Sequence, residues 1–159
     1  MKFRVHETVY ETATAGRERE WKQALFDLNI EVDGHPPLIS VGRAADGGAS
    51  FVIESSEGAT SEVVLAHATL RRSFRDYLDI IQRLTRSDGG AFGMRDFETL
   101  DYAKKLVHDE AGDLVVTALA DRCPVDHPTA RRLFTLVFLI ISDLPEGMIR
   151  NHRRHGPPK

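Results

Sequence analysis

The longest apolar run of the chain lies in its C-terminal part and predicts a buried helix. Asp126 is a good helix N-cap, Pro128 fits the first turn, and residues 133–141 contain a single polar side chain, Thr135. A helix that is apolar on nearly all sides must be surrounded by protein or lipid. Because this run is far shorter than the ~20 residues that a bilayer span needs, we expect the helix at the centre of the core.

Alternation of apolar and polar positions predicts strands in the first half of the chain. Residues 3–10 alternate in this way and indicate a strand with one exposed face. Three further strand candidates are residues 38–43, 50–55 and 61–66. Glycine turn signals at 46–48 and 57–58 separate them, which is typical of an antiparallel meander. The first strand is expected to join this sheet at a position that the pattern does not define.

Apolar residues at helical spacing predict three more helices. Residues 15–28 form an amphipathic helix, Thr69 caps a helix that reaches Leu84, and residues 96–121 form the longest helix. The glycine-rich residues 88–93 are expected to form a flexible loop. Together the patterns predict an α+β fold, in which an antiparallel sheet of about four strands packs against a helical layer around the apolar C-terminal helix.

Length and charge narrow the class of protein. A chain of 159 residues suits one domain, and we predict that residues 1–144 form it while residues 145–159 form a flexible basic tail. No apolar signal segment opens the chain, and the single cysteine, Cys123, excludes an intrachain disulfide, so we expect a cytoplasmic protein. The net charge of −3 argues against a general nucleic-acid binder and leaves only the tail as a candidate for such contacts.

Two segments of the second half resemble a known family. They are residues 106–110, Leu-Val-His-Asp-Glu, and residues 129–136, Thr-Ala-Arg-Arg-Leu-Phe-Thr-Leu. Further similar segments are Arg71-Arg72 ahead of Asp76-Tyr77, and residues 20–28. On these residues the chain resembles uncharacterised protein family 0262, a small alphaproteobacterial family, up to about Ile141. The resemblance implies a bacterial, cytoplasmic α+β domain and implies no activity, cofactor or site residue.

Two pairs of adjacent arginines are the first candidates for chemistry. Arg71 and Arg72, like Arg131 and Arg132, are expected in the first turn of a helix, where a cation opposes the helix dipole by roughly 0.3–1 kcal/mol. Salt bridges to carboxylates of the long helix, such as Asp109, would offset this cost and are the account we favour. The alternative is an anion site, in which guanidinium groups and helix N-termini bind phosphate or carboxylate.

The two arginines of the second pair are predicted to differ, because adjacent helical positions point about 100° apart. Arg131 lies on the line of Phe134 and Phe138, which are expected to face inward. Arg132 lies nearer the edge of the helix. We therefore predict that Arg131 is half-buried and paired with a carboxylate, and that Arg132 is available to a ligand.

His108, Asp109 and Glu110 are the second candidates. Three successive helical residues point in different directions and cannot converge on one metal ion. A histidine that hydrogen-bonds within the helix interface is the interpretation we favour for His108, and general acid–base chemistry is the alternative. Gly112 shares the face of His108 and would let a neighbouring helix or a ligand approach closely.

Metal and cofactor motifs are absent from the sequence. Cys123 and His127, even with His152 and His155 of the tail, lack the paired spacing of a zinc site. Phosphate-loop, dinucleotide-binding, serine-hydrolase and zinc-protease motifs do not occur either. We therefore predict no catalytic residue, no cofactor and no metal.

These observations favour a non-catalytic interaction or regulatory module, with an unknown protein or a second copy of the chain as its partner. The alternative is a binder of a small anionic or phosphate-bearing ligand, conceivably an enzyme, through the arginine pairs and His108. An open concave pocket that both arginine pairs face, with too few carboxylates to neutralise them, would distinguish this alternative. Neither hypothesis involves a membrane.

Overall fold

The structure, a computed structural model, describes residues 1–29, 36–86 and 94–142. In chain order the elements are β1 (Lys2–Val5), a 3-10 helix (Glu7–Thr12), α1 (Ala15–Leu28), β2 (Leu38–Arg43), β3 (Ala49–Glu54), β4 (Thr60–Leu65), α2 (His67–Arg86), α3 (Met94–Leu119) and α4 (His127–Ile141). The predicted α+β class is confirmed. The predicted loop at 88–93 and tail at 145–159 lie outside the described residues, and the single-domain assignment stays a prediction.

The four strands form one sheet in the order β1-β2-β3-β4. The pairs β2–β3 and β3–β4 are antiparallel, as the predicted meander requires. By contrast β1 lies at the edge and pairs parallel to β2, with Phe3 opposite Ile39. The sheet is therefore mixed, and the intervening α1 belongs to the crossover that a parallel pair needs.

The first predicted strand is too long, because a local hydrogen bond turns the chain. The strand ends at Val5, and the following residues form the 3-10 helix. The Nδ1 atom of His6 accepts the backbone N–H of Thr8 at 3.2 Å, which caps the 3-10 helix. Val9 of this 3-10 helix is buried, whereas Glu7, which the predicted strand places on the same face, is exposed.

Helix α2 begins two residues before the predicted cap, Thr69, and that prediction is wrong. Asp46, in the turn between β2 and β3, accepts the backbone N–H of His67 at 3.1 Å and that of Gly48 at 2.8 Å. These two hydrogen bonds lower the pKa of Asp46 below its usual value, and the one from Gly48 has the larger effect. A carboxylate from a distant turn therefore takes the place of the local cap.

Helix α4 occupies the centre of the core, as predicted. It packs against α1, α3 and β2, and the apolar residues from Leu133 to Ile140 are almost wholly inaccessible to solvent. Among the described residues no helix is long and apolar enough to cross a bilayer. The helix therefore buries its apolar surface against the rest of this domain.

The C-terminal end of α4 receives hydrogen bonds from two other elements. The last carbonyls of a helix lack partners within it. The indole Nε1 of Trp21 donates to the carbonyl of Leu139 at 3.2 Å. The guanidinium of Arg43 donates twice to the carbonyl of Ile140, from Nε at 3.1 Å and from Nη2 at 2.8 Å. These contacts fix α4 against α1 and β2.

Candidate functional site

A cleft of about 320 Å³ lies between α1, α3 and α4. Its cationic lining residues are Lys104, Lys105, Arg131 and Arg132, and its acidic ones are Asp27 and Asp101. His108 and Thr135 add further hydrogen-bonding groups. Asp109 also forms an ion pair with Arg131, so four cations stand against three carboxylates and the cleft keeps an excess of one positive charge.

One face of α3 provides a wall of this cleft. Asp101, Lys104, Lys105 and His108 follow the three- and four-residue spacing that brings helical side chains together. Lys105 forms an ion pair with Asp101, with 3.2 Å between Nζ and Oδ2. One acidic group of the cleft is thus already engaged by a lysine.

Lys104 is the most unusual group of the site, because only 3% of its surface is exposed. Burial lowers the pKa of its ammonium group from 10.5 to about 8, and the nearby Asp101 opposes that shift in part. The sequence analysis did not identify Lys104. A signal existed, since Lys104 lies at helical spacing on the same buried line as Leu100 and Val107.

His108 is held by hydrogen bonds in the helix interface, as the interpretation we favour expects. Its Nδ1 lies 2.9 Å from the carbonyl of Lys104, which can only accept, so Nδ1 donates. In the neutral ring Nε2 then accepts the hydroxyl of Thr135 at 3.1 Å. The ring also stands edge-on to Tyr77, with 4.9 Å between centroids. These contacts fix its orientation in the wall of the cleft.

Arg131 is half-buried beside a carboxylate, in agreement with its predicted geometry. Its Nε lies 3.1 Å from Oδ1 of Asp109, yet the N–H has no hydrogen-bond partner among the described residues. The contact is therefore an ion pair without a well-aligned hydrogen bond. Gly112 allows this approach, because a Cβ there would lie 3.0 Å from Cγ of Arg131 and from Nε2 of His127. The neighbour that approaches Gly112 is thus α4.

Arg132 is exposed at the rim of the cleft. Its charge acts on Asp126, whose pKa is lowered by hydrogen bonds from Thr129 and, to a smaller extent, by Arg132. The side chain of Asp126 is occupied in capping α4, since it accepts the N–H of Thr129 at 2.8 Å. Arg132 therefore presents its guanidinium to solvent beside the cleft.

We expect Arg131→Ala to lower the free energy of unfolding by about 1 kcal/mol. The reason is that it removes a partly exposed ion pair and packing against Gly112. Arg132→Ala should change it by less than about 0.5 kcal/mol, as exposed substitutions do. Denaturant unfolding of both variants measures the difference. Equal losses, or a larger loss for Arg132→Ala, would contradict the assignment.

The structure separates the two arginine pairs that the sequence analysis grouped, so the described residues do not form the single pocket, faced by both pairs, that is expected to distinguish an anion binder. Arg71 and Arg72 are exposed on α2 and do not line the cleft, and Arg72 lies 3.8 Å from Asp76 within its own helix. Both pairs also lie in the second helical turn, because α2 begins at His67 and α4 at His127. The expected conflict with the helix dipole is therefore weak, since the effect falls off within the first turn.

The histidine and cysteine considered for zinc make other contacts. The Nε2 atom of His127 lies 3.2 Å from Oδ1 of Asp113. The thiol of Cys123 is buried, which raises its pKa, and its Sγ lies 3.1 Å from Sδ of Met1. In the described parts of the chain no three metal-ligating side chains are grouped in a way that could hold an ion.

Comparison with known proteins identifies the family. The model of the uncharacterised protein family UPF0262 matches residues 1–142. The UPF0262 protein of Sphingopyxis alaskensis is 33% identical over 135 residues, which cover 77% of this chain and 81% of that protein. The UPF0262 protein of Rhizobium etli is 31% identical over 136 residues, 80% and 85% of the two chains. No solved structure matches the chain. The chain thus belongs to the UPF0262 family, as the arginine-containing segment of α4 and the His108 segment of α3 predicted.

Proposed function

We propose that the protein binds a small anionic ligand, one that carries a carboxylate or phosphate group, in the cleft between α1, α3 and α4. The observation that carries this proposal is the excess of four cationic over two acidic lining side chains around an open volume of about 320 Å³, an excess that remains when Asp109, the ion-pair partner of Arg131, is counted. Small-molecule pockets of proteins begin at about this volume. The proposal keeps Arg131, Arg132 and His108 of the predicted site, adds Lys104, and omits Arg71 and Arg72.

The individual groups suit the recognition of an anion. The planar guanidinium groups of Arg131 and Arg132 can each bind a carboxylate or phosphate through two parallel hydrogen bonds. Lys104 lies where water is largely excluded, so its attraction for an anion is screened less than at the surface. His108 and Thr135 add hydrogen-bonding groups whose positions are already fixed by each other.

The interaction module favoured from the sequence stays a prediction. The described surface exposes a few large apolar side chains, among them Tyr102 and Leu106 on α3. Scattered apolar residues of this kind are ordinary on protein surfaces and do not identify a partner. The cleft, by contrast, has a defined volume and an excess of one charge.

Calorimetric titration of the full chain with inorganic phosphate, glycerol phosphate and succinate tests the proposal. At least one of these anions should bind saturably, with an affinity that falls as salt is added. Arg132→Gln should weaken this binding about tenfold or more, because it removes a charge-assisted hydrogen bond.

Arg72→Gln is the matched control, since Arg72 occupies the second turn of α2 and lies outside the cleft. Its affinity for the same anion should equal that of the wild type. Absence of saturable binding for all three anions, or equal losses in the two variants, would overturn the proposed site.

A further inference from the structure

A lysine amine on the wall of an electropositive cleft can do more than attract an anion. Lys104 continues the buried line of Leu100 and Val107 on α3, and it is also one of the residues that line the cleft. Lysines that act as nucleophiles are desolvated in this way or lie beside other cations, because both arrangements favour the neutral amine. Lys104 meets both conditions, since Lys105, Arg131 and Arg132 line the same cleft.

We propose that the cleft takes small anions that also carry an aldehyde or ketone group, and that Lys104 forms an imine with this carbonyl. The inference rests on the proposed function, because the arginines on α4 must first hold the anionic group. In the reaction the neutral amine adds to the carbonyl carbon, and a proton passes from nitrogen to oxygen. Loss of water from the resulting carbinolamine leaves the C=N bond, so no oxidant or reductant is consumed.

The protonation state of Lys104 supports this chemistry at neutral pH. With a pKa of about 8 instead of 10.5, the neutral fraction at pH 7 rises by a factor of about 300. Lower basicity also weakens an amine as a nucleophile, so the gain in reactivity is smaller than this factor. Arg131 and Arg132, which line the same cleft from α4, can hold the anionic group, and this makes the attack effectively unimolecular.

The titratable and charged groups that line the cleft with Lys104 are compatible with this reaction. On α3 itself they are Asp101, Lys105 and His108, on α1 Asp27, and on α4 Arg131 and Arg132; Asp101 is the one whose charge acts on the amine of Lys104. The backbone carbonyl of Lys104 accepts a hydrogen bond from His108, whose other ring nitrogen contacts Thr135. The side chain of Lys104 therefore extends from a stretch of helix that is fixed to α4.

Reductive trapping tests the inference on the unaltered full chain. The chain is incubated at pH 7 with a low concentration of glyoxylate and sodium cyanoborohydride, which converts an imine into carboxymethyl-lysine. Peptide mapping then measures the rate of labelling at each lysine. Lys104 should be labelled about tenfold or more faster than Lys105, the exposed neighbour on the same helix. Labelling at equal rates, or faster labelling of Lys105, would overturn the inference.

Two further measurements show whether anion binding by Arg132 contributes to the labelling of Lys104. Arg132→Gln should slow labelling of Lys104 by glyoxylate about tenfold and leave Lys105 unaffected. Acetaldehyde, which lacks the anionic group, should show no dependence on Arg132. If Lys104 is not labelled while phosphate or succinate still binds in an Arg132-dependent manner, the imine inference fails alone. If neither labelling nor anion binding occurs, the proposed function fails with it.

Discussion

Replacing Phe138 by alanine is expected to lower the free energy of unfolding by about 3–5 kcal/mol. Phe138 is fully buried in α4. Its ring lies 4.5 Å from that of Tyr77, 5.4 Å from that of Phe74 and 6.4 Å from that of Phe134, measured between centroids. Truncation leaves a cavity that these rings cannot fill without moving, so both burial and packing energy are lost.

Denaturant unfolding of Phe138→Ala measures this loss, and Phe26→Ala is its matched control. Phe26 lies on α1 with 68% of its surface exposed, so its truncation should change the free energy by less than about 0.5 kcal/mol. A loss below about 1 kcal/mol for Phe138→Ala would contradict the central position of α4, because the cavity would then have to collapse at little cost.

Local patterns predict an element well where its own side chains determine it. The helix expected at residues 15–28 is α1, and the strand expected at 38–43 is β2, with the same bounds. The early end of β1 comes from the local cap of His6, whereas two other errors occur where a distant contact determines the structure. Asp46, in the turn between β2 and β3, accepts the N–H of the first residue of α2. The parallel pairing of β1 with β2 depends on the path of the chain through α1. Neither contact leaves a trace in the periodicity of the segment it affects.

The candidate site follows the same division. The sequence predicts Arg131, Arg132 and His108 from charge and helical spacing, and all three line the cleft. It also predicts Arg71 and Arg72, because both arginine pairs are expected in the first turn of a helix. Only the packing of α1 beside α3 and α4 creates a cleft at one pair and not at the other. That packing joins distant parts of the chain, which no local pattern encodes.

The sequence analysis did not identify Lys104 as a site residue, for a different reason. Lysines are almost never fully buried, so one that interrupts an apolar stripe is ordinarily assigned to solvent. In this fold the cleft lets the lysine follow the buried line of α3 without being sealed into the core. Burial that penalises a charge is typical of functional sites, where a group must titrate near neutral pH. The energetic cost of burying the Lys104 ammonium can be measured from the free energy of unfolding at different pH values.

We expect the wild-type protein to gain stability relative to Lys104→Met as the pH rises from 8 to 10.5. Since folding lowers the pKa of Lys104 from 10.5 to about 8, the unfolded chain binds more protons in this interval, and stability therefore rises with pH. Below pH 8 the folded protein bears the full cost of burying the charged ammonium, and above pH 10.5 this cost is absent. The lowering of the pKa corresponds to a gain of about 3 kcal/mol in the free energy of unfolding across this interval.

The measurement is the difference in the free energy of unfolding between wild type and Lys104→Met at pH 7, 9 and 10.5, so that groups common to both proteins cancel. Lys105→Met, which alters an exposed side chain on the same helix, is the matched control. A similar rise in both comparisons would show that the effect does not come from Lys104. A difference that does not change with pH would mean that the ammonium of Lys104 stays hydrated in the folded protein. The neutral amine required for imine formation would then be too scarce, and that inference would lose its chemical basis.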